Sequence, residues 1–161
     1  MKKMNSFKFY VMELLGLVCL FAILLPWVSY GFGSKTGLDV SRISKEILAV
    51  SAILFLFFTY LNEKWQKVEK ISVYFAFFLS FILFGVYTYE ALRIGYQTTL
   101  TKNLPVEMIG EATLATAKIH IGYGLLLGVG ASFLIFLVNL VSLQIFRNRN
   151  RNLNQAEKND V

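Results

Sequence analysis

The apolar residues of this chain are concentrated in four long runs, separated by segments that carry most of the charge. The runs cover residues 9–27, 43–61, 71–92 and 119–146. A helix of about 20 residues spans the roughly 30 Å hydrocarbon layer of a membrane. The pattern therefore predicts an all-α, polytopic membrane protein, with a four-transmembrane-helix bundle over residues 1–146 and a polar cytoplasmic tail over residues 147–161.

The composition also favours a membrane protein over a soluble one. Of the 161 residues, 56% are hydrophobic and 16% are aromatic. A soluble domain of this size has too much surface to hide so many apolar side chains. The net charge of +6 comes mostly from short segments beside the apolar runs, so it predicts contact with anionic lipid rather than with nucleic acid. The expected partners are the lipid bilayer and either a second copy of the chain or another membrane protein.

The basic residues predict the orientation of the bundle. Ten of the 16 Lys and Arg residues fall in the N-terminal segment, in the link at residues 62–70 and in the tail. The other six lie in or beside the two longer connections, on the opposite side. Because Lys and Arg are enriched on the cytoplasmic side of a membrane, we expect a multi-pass protein of the cytoplasmic membrane with both termini in the cytoplasm.

The first apolar run has some features of a signal peptide. A basic segment precedes it, and Ser29-Tyr30-Gly31 has the small residues of a cleavage site. The length of the run, its charged Glu13 and its late Pro26–Trp27 pair favour a retained span, although the sequence leaves cleavage open. Cys19 in this run has no second cysteine to pair with, so we expect a buried free thiol.

The third run is rich in aromatic residues. Phe77, Phe81 and Phe84 follow helical spacing and fall on one face. Such a face can bind a flat apolar ligand, or it can contact lipid and a neighbouring helix, and the second interpretation is favoured. Tyr87 and Tyr89, near the end of the run, suit the aromatic belt at a membrane interface.

The fourth run contains a stripe of small residues. Gly124 and Gly128 are four residues apart, and Ala131 continues the same face. Small residues allow close approach of another helix, within the chain or in a homodimer, and packing within the chain is favoured. Asn139, in the middle of the run, can form a hydrogen bond across helices.

Ionisable groups inside spans are costly and are functional candidates by default. Glu90 and Arg93 can pair on one helix face, and His120 enters the next span at a similar depth. These three residues predict a polar cluster at the outer face. Glu13 lies near the inner face, where Gln144 is its expected partner. Each group has a structural interpretation, as a salt bridge or interhelix bond, and this interpretation is favoured over proton or ion transport.

The sequence contains no motif of a catalytic, nucleotide-binding or metal site. We therefore expect no metal, no cofactor and no enzymatic activity. The favoured function is that of a non-enzymatic membrane protein that acts through helix packing with itself or a partner, as an accessory, immunity-type or envelope protein. The alternative is a subunit of a small transporter or channel that uses Glu13, Glu90 and His120.

Overall fold

The computed structural model describes residues 6–30, 33–40, 42–64, 69–102 and 120–159. This part of the chain is mostly helical, with five helices and three short strands. In chain order the elements are α1 (Ser6–Ala22), β1 (Pro26–Tyr30), β2 (Gly33–Thr36), α2 (Gly37–Val40), α3 (Arg42–Lys64), α4 (Glu69–Lys102), β3 (His120–Ile121) and α5 (Tyr123–Asn159).

Three of these helices are long and apolar enough to cross a membrane, which suggests a membrane location. The candidate segments are Ile43–Asn62 in α3, Ile71–Thr99 in α4 and Tyr123–Asn148 in α5. Helix α1 is shorter, with 17 residues. The prediction of a mostly helical chain is thus confirmed, and three of the four predicted spans form helices that could cross a membrane.

The predicted end of the first span is wrong. Helix α1 ends at Ala22, and two bonds between residues three apart, from Ile23 N to Leu20 O and from Leu24 N to Phe21 O, close its last turn. Pro26 has no N–H to continue the helix, and it favours an extended conformation in the residue before it. The chain therefore continues as strand β1, which contains Trp27.

Strand β1 is the centre of a three-stranded antiparallel sheet, in the order β2-β1-β3. Val28 is paired with Lys35 of β2 on one side and with Ile121 of β3 on the other. The purely helical prediction did not include this sheet. It lies where α1 ends and where α5 begins, so we call this end of the bundle the sheet end, and the opposite end, where α1 begins, the N-terminal end.

The four long helices pack in a ring. Helix α1 contacts α3 and α5, and α4 contacts the same two helices. Two helices extend beyond the predicted spans: α4 continues to Lys102, and α5 continues to Asn159 through most of the polar tail. The start of the fourth predicted span, at residue 119, lies outside the described residues.

The interior between the helices is mainly apolar, but the outside is apolar as well, unlike that of a soluble bundle. Polar Ser51, Ser80, Ser132 and Asn139 are buried between the helices. Large apolar side chains cover the outside. Those that are at least half exposed include Phe21, Leu24, Ile53, Phe57, Phe78, Phe81, Leu126, Leu134 and Ile145. An apolar exterior of this extent is typical of a surface that contacts lipid or another protein.

One aromatic face of α4 lies against α5. The rings of Phe77, Phe81 and Phe84 all lie within about 6 Å of the ring of Phe136, with centroid distances of 5.7, 6.1 and 5.8 Å. Aromatic pairs at this distance add to interhelix packing. The structure thus supports the packing interpretation of this face.

Candidate functional site

The predicted pair Glu90–Arg93 forms at the sheet end of the bundle. One turn of α4 separates the two residues, and Arg93 Nη2 lies 2.8 Å from Glu90 Oε2. The Glu90 side chain is fully buried, whereas that of Arg93 is 35% exposed. Arg93 Nη2 also donates to the carbonyl oxygen of Val40, at the end of α2, over 3.4 Å. The arginine therefore neutralises a buried carboxylate and reaches the neighbouring connection.

Ser44 of α3 completes the environment of Glu90. Its hydroxyl donates to Glu90 Oε1 across the α3–α4 contact, and Ser44 is itself buried. A buried carboxylate needs both a charge partner and hydrogen-bond donors to offset its loss of hydration. Sequence reasoning did not identify Ser44, which lies in the first turn of α3, because a serine at the start of a helix is not distinctive.

His120 does not join this cluster. Its side chain is exposed in β3, and its backbone is paired with Ser29 of β1. Among the described residues, the Arg93–Glu90 contact is the one ion pair. The structure therefore brings together two of the three residues predicted for the outer cluster.

Asp39 lies in the connection at the same end but forms a separate local motif. Its Oδ2 accepts hydrogen bonds from Thr36 Oγ1 over 2.8 Å and from Thr36 N over 3.3 Å. These bonds hold the pKa of the exposed Asp39 carboxyl below its usual value. The interaction shapes the turn between β2 and α2 and does not extend to Glu90.

Trp27 of β1 and Tyr87 of α4 form a buried aromatic pair at the sheet end. Both side chains are fully buried, with ring centroids 5.8 Å apart. Trp27 Nε1 donates to Ala22 O over 2.8 Å, and the Tyr87 hydroxyl donates to Cys19 O. The prediction that Tyr87 belongs to an interfacial belt is therefore wrong, while Cys19 is buried and free as expected.

The small residues of α5 pack against this region. A Cβ atom at Gly124 would lie 2.5 Å from the Cβ of Leu25 and 2.9 Å from Pro26 O, and one at Gly128 would overlap the ring of Tyr87. Ala131 is buried on the same helix. The stripe thus permits close approach within the chain, but its neighbours are the segment after α1 and an aromatic ring rather than the backbone of a helix.

The predicted inner pair of Glu13 and Gln144 is not formed. Gln144 is exposed, and Glu13 is partly buried, with no hydrogen-bond partner for its buried Oε1 among the residues that the structure describes. A polar bond across the contact between α1 and α5 is instead made by Lys8, whose ammonium donates to Ser142 Oγ. Lys8 was interpreted only as part of the basic N-terminal segment, so the sequence analysis missed its inward position.

A small cavity lies beside Lys8 at the N-terminal end. Its volume is about 30 Å³, and all four long helices line it, through Lys8, Met12, Thr59, Asn62, Val73, Ala76, Asn139 and Ser142. Asn139 is 8% exposed, and its Nδ2 has no hydrogen-bond partner within the described part of the chain. Asn139 was predicted to bond across helices, and the lysine that lines the same cavity was not anticipated.

The two polar regions have different chemical capacities. The Glu90 site is filled by protein groups, whereas the N-terminal cavity has room beside a cation and an amide. No group of three or more His, Cys, Asp or Glu side chains suited to a metal ion occurs in the described ranges.

Comparisons with protein-family models, with curated protein sequences and with solved structures found no match for this chain. Its function is therefore inferred from its own residues and geometry.

Proposed function

We propose that this chain is a non-enzymatic, four-span protein of the cytoplasmic membrane that acts through helix packing with a second copy or with another membrane protein. In this proposal both termini are cytoplasmic, and α1 is the fourth span. The observation that carries it is the combination of an apolar exterior with an interior in which buried apolar side chains separate the two polar regions.

The exterior of α1 supports its assignment as a span. Its exposed large residues are Tyr10, Leu14, Leu17 and Phe21, followed by Leu24 in the turn after it. Their spacing places them on one outward stripe of the helix. At 1.5 Å per residue, 17 residues cover roughly 25 Å, so slight thinning of the bilayer or the apolar turn after Ala22 makes up the remaining length.

The interior supports a packing function over transport. Along α4, the buried Leu79, Leu83 and Tyr87 separate Ala76 at the cavity from Glu90 at the sheet end. Ala76 and Glu90 are 14 positions apart along α4, which corresponds to a rise of about 21 Å. Ser80 and Ser132 lie in the interior, but their hydroxyls donate to carbonyls of their own helices, so they do not link the two polar regions.

The second candidate, a transporter or channel subunit, depends on Glu13, Glu90 and His120. Glu90 favours it to a limited extent, since a buried carboxylate in a span is a common feature of proton and ion pathways. The three groups that a transporter would use, however, occupy different environments. Glu90 is buried and paired, His120 is exposed, and Glu13 is partly buried.

Ion flux through the purified protein distinguishes the two functions. The protein is reconstituted into liposomes, and proton and monovalent-cation flux is measured under an imposed gradient. We expect flux equal to that of protein-free liposomes, because packed apolar side chains separate the two polar regions. Flux above that background that disappears in Glu90→Gln, with unchanged protein content, would establish transport and refute the packing proposal.

A further inference from the structure

The cavity at the N-terminal end has the chemistry of an anion site. Three lining side chains carry nitrogen donors: the Lys8 ammonium, which has three N–H bonds, and the amides of Asn62 and Asn139. The described lining residues include one basic side chain and no acidic one. Buried cations and amide donors with spare hydrogen-bonding capacity favour a negatively charged ligand.

Asn139 is the most informative residue of this cavity. It is more than nine-tenths buried, it lines the cavity, and its Nδ2 is without a hydrogen-bond acceptor among the described residues. A buried amide that lacks an acceptor costs free energy, so such groups are usually satisfied by water or by a ligand. The polar end of Asn139 therefore indicates that an acceptor occupies the cavity.

Lys8 is held in position rather than left to extend into solvent. Its ammonium donates to Ser142 Oγ, and that hydroxyl in turn donates to Val138 O. The hydrogen bond to Ser142 uses one of the three N–H groups of the ammonium. The other two N–H groups of Lys8 can donate to an acceptor in the cavity. The same acceptor can accept a hydrogen bond from the Asn139 amide.

We propose that this cavity binds a phosphate group, either that of an anionic lipid headgroup or inorganic phosphate. The volume of about 30 Å³ accommodates roughly two water-sized groups, which suits the two unesterified oxygens of a phosphate diester. The cavity lies where α1 begins, α3 ends and α4 begins, and in the proposed four-span arrangement a lipid headgroup can reach this end of the bundle. This inference goes beyond helix packing and stands independently of whether the protein has a partner.

The test measures binding of two probes to the purified full chain in a neutral detergent. One series adds phosphatidylglycerol and the other adds inorganic phosphate, with bound lipid followed by native mass spectrometry and phosphate binding by the shift in thermal unfolding. We expect saturable binding of at least one probe. Binding of the lipid alone identifies a headgroup site, and binding of inorganic phosphate identifies a site for the free anion.

Two variants and a matched control locate the site. Lys8→Gln removes the cation, and Asn139→Asp replaces the donor by a carboxylate, so each should weaken binding by roughly tenfold or more. Lys64→Gln removes an exposed lysine at the same end, whose ammonium lies 4.9 Å from the Tyr60 ring centroid. This variant should bind each probe with an affinity within about twofold of that of the wild-type chain, since exposed charges are screened.

Each outcome decides the proposal. Equal loss of binding in Lys64→Gln and Lys8→Gln would show general attraction to a basic surface and would overturn it. Binding of neither probe to the wild-type chain would leave the cavity as a site for water only and would also overturn it. Because Asn139→Asp changes no volume, it decides the question independently if Lys8→Gln fails to fold.

Discussion

At the scale of single residues, Glu90 is the side chain that depends most on its neighbours, because it is a buried carboxylate. It is fully buried, and its charge is balanced by Arg93 while Ser44 supplies a hydrogen bond from another helix. Removing one partner of a buried ion pair is far more costly than removing the pair, because the remaining charge stays buried without compensation. The two members of this pair should therefore respond differently to substitution.

We expect Arg93→Met to lower the free energy of unfolding by about 1–3 kcal/mol, below the usual range for fully buried pairs because Arg93 is partly exposed. Glu90→Gln should cost less, since the amide is neutral and Arg93 can turn towards water. Thermal unfolding in detergent measures both. Adding Glu90→Gln to Arg93→Met should recover stability, and a double variant less stable than Arg93→Met alone would refute this account of the pair.

Sequence reasoning identified Glu90, Arg93 and Asn139 because charged and amide groups within an apolar run are conspicuous. It did not find Ser44, Lys8 or Ser142, since serine and a lysine at a helix start are common in membrane proteins. It also paired Glu13 with Gln144 from depth alone. The position of a residue along its helix sets its depth. Whether two side chains meet also depends on how each helix is rotated about its axis. A helix that is apolar on all sides does not reveal that rotation.

At the scale of elements, strand β1 controls how α5 enters the bundle. The carbonyl of Trp27 accepts a hydrogen bond from Gly122 N over 2.7 Å, and Gly124 faces Leu25 and Pro26. Side chains at these positions would overlap the main chain of the segment after α1. The apolar pattern predicted the helices because their period is regular, but the sheet is only a few residues per strand and has no comparable signal.

Gly124→Ala should destabilise the protein, because its Cβ would lie 2.5 Å from Leu25 Cβ and 2.8 Å from the Leu25 carbonyl carbon. Overpacking of this kind costs about 1–3 kcal/mol. The matched control is Gly130→Ala on the same helix, where an added Cβ meets no described atom within 4 Å.

Thermal unfolding of the two variants in the same detergent tests this prediction. Gly130→Ala should be neutral or more stable by up to about 1 kcal/mol, because alanine favours a helix over glycine. If Gly124→Ala were as stable as Gly130→Ala, the close contact between α5 and the segment after α1 would not exist in the folded protein.

At the scale of the whole molecule, the protein is a helical bundle with two chemically different ends and an apolar outer surface. The sheet end contains the paired Glu90, and the N-terminal end contains the cavity with Lys8 and Asn139. Three helices are long and apolar enough to span a membrane. The proposal that α1 is a fourth span determines on which side each end of the chain lies.

Labelling of single cysteines in intact cells tests this proposal most directly. In a Cys19→Ala background, one cysteine is inserted after Met1 or replaces Ser34 or Asn148, which are both exposed. We predict that a membrane-impermeant maleimide labels the Ser34 site in intact cells and labels the other two only after permeabilisation. External labelling of the N-terminal cysteine, or its loss by cleavage from the mature protein, would contradict the four-span account.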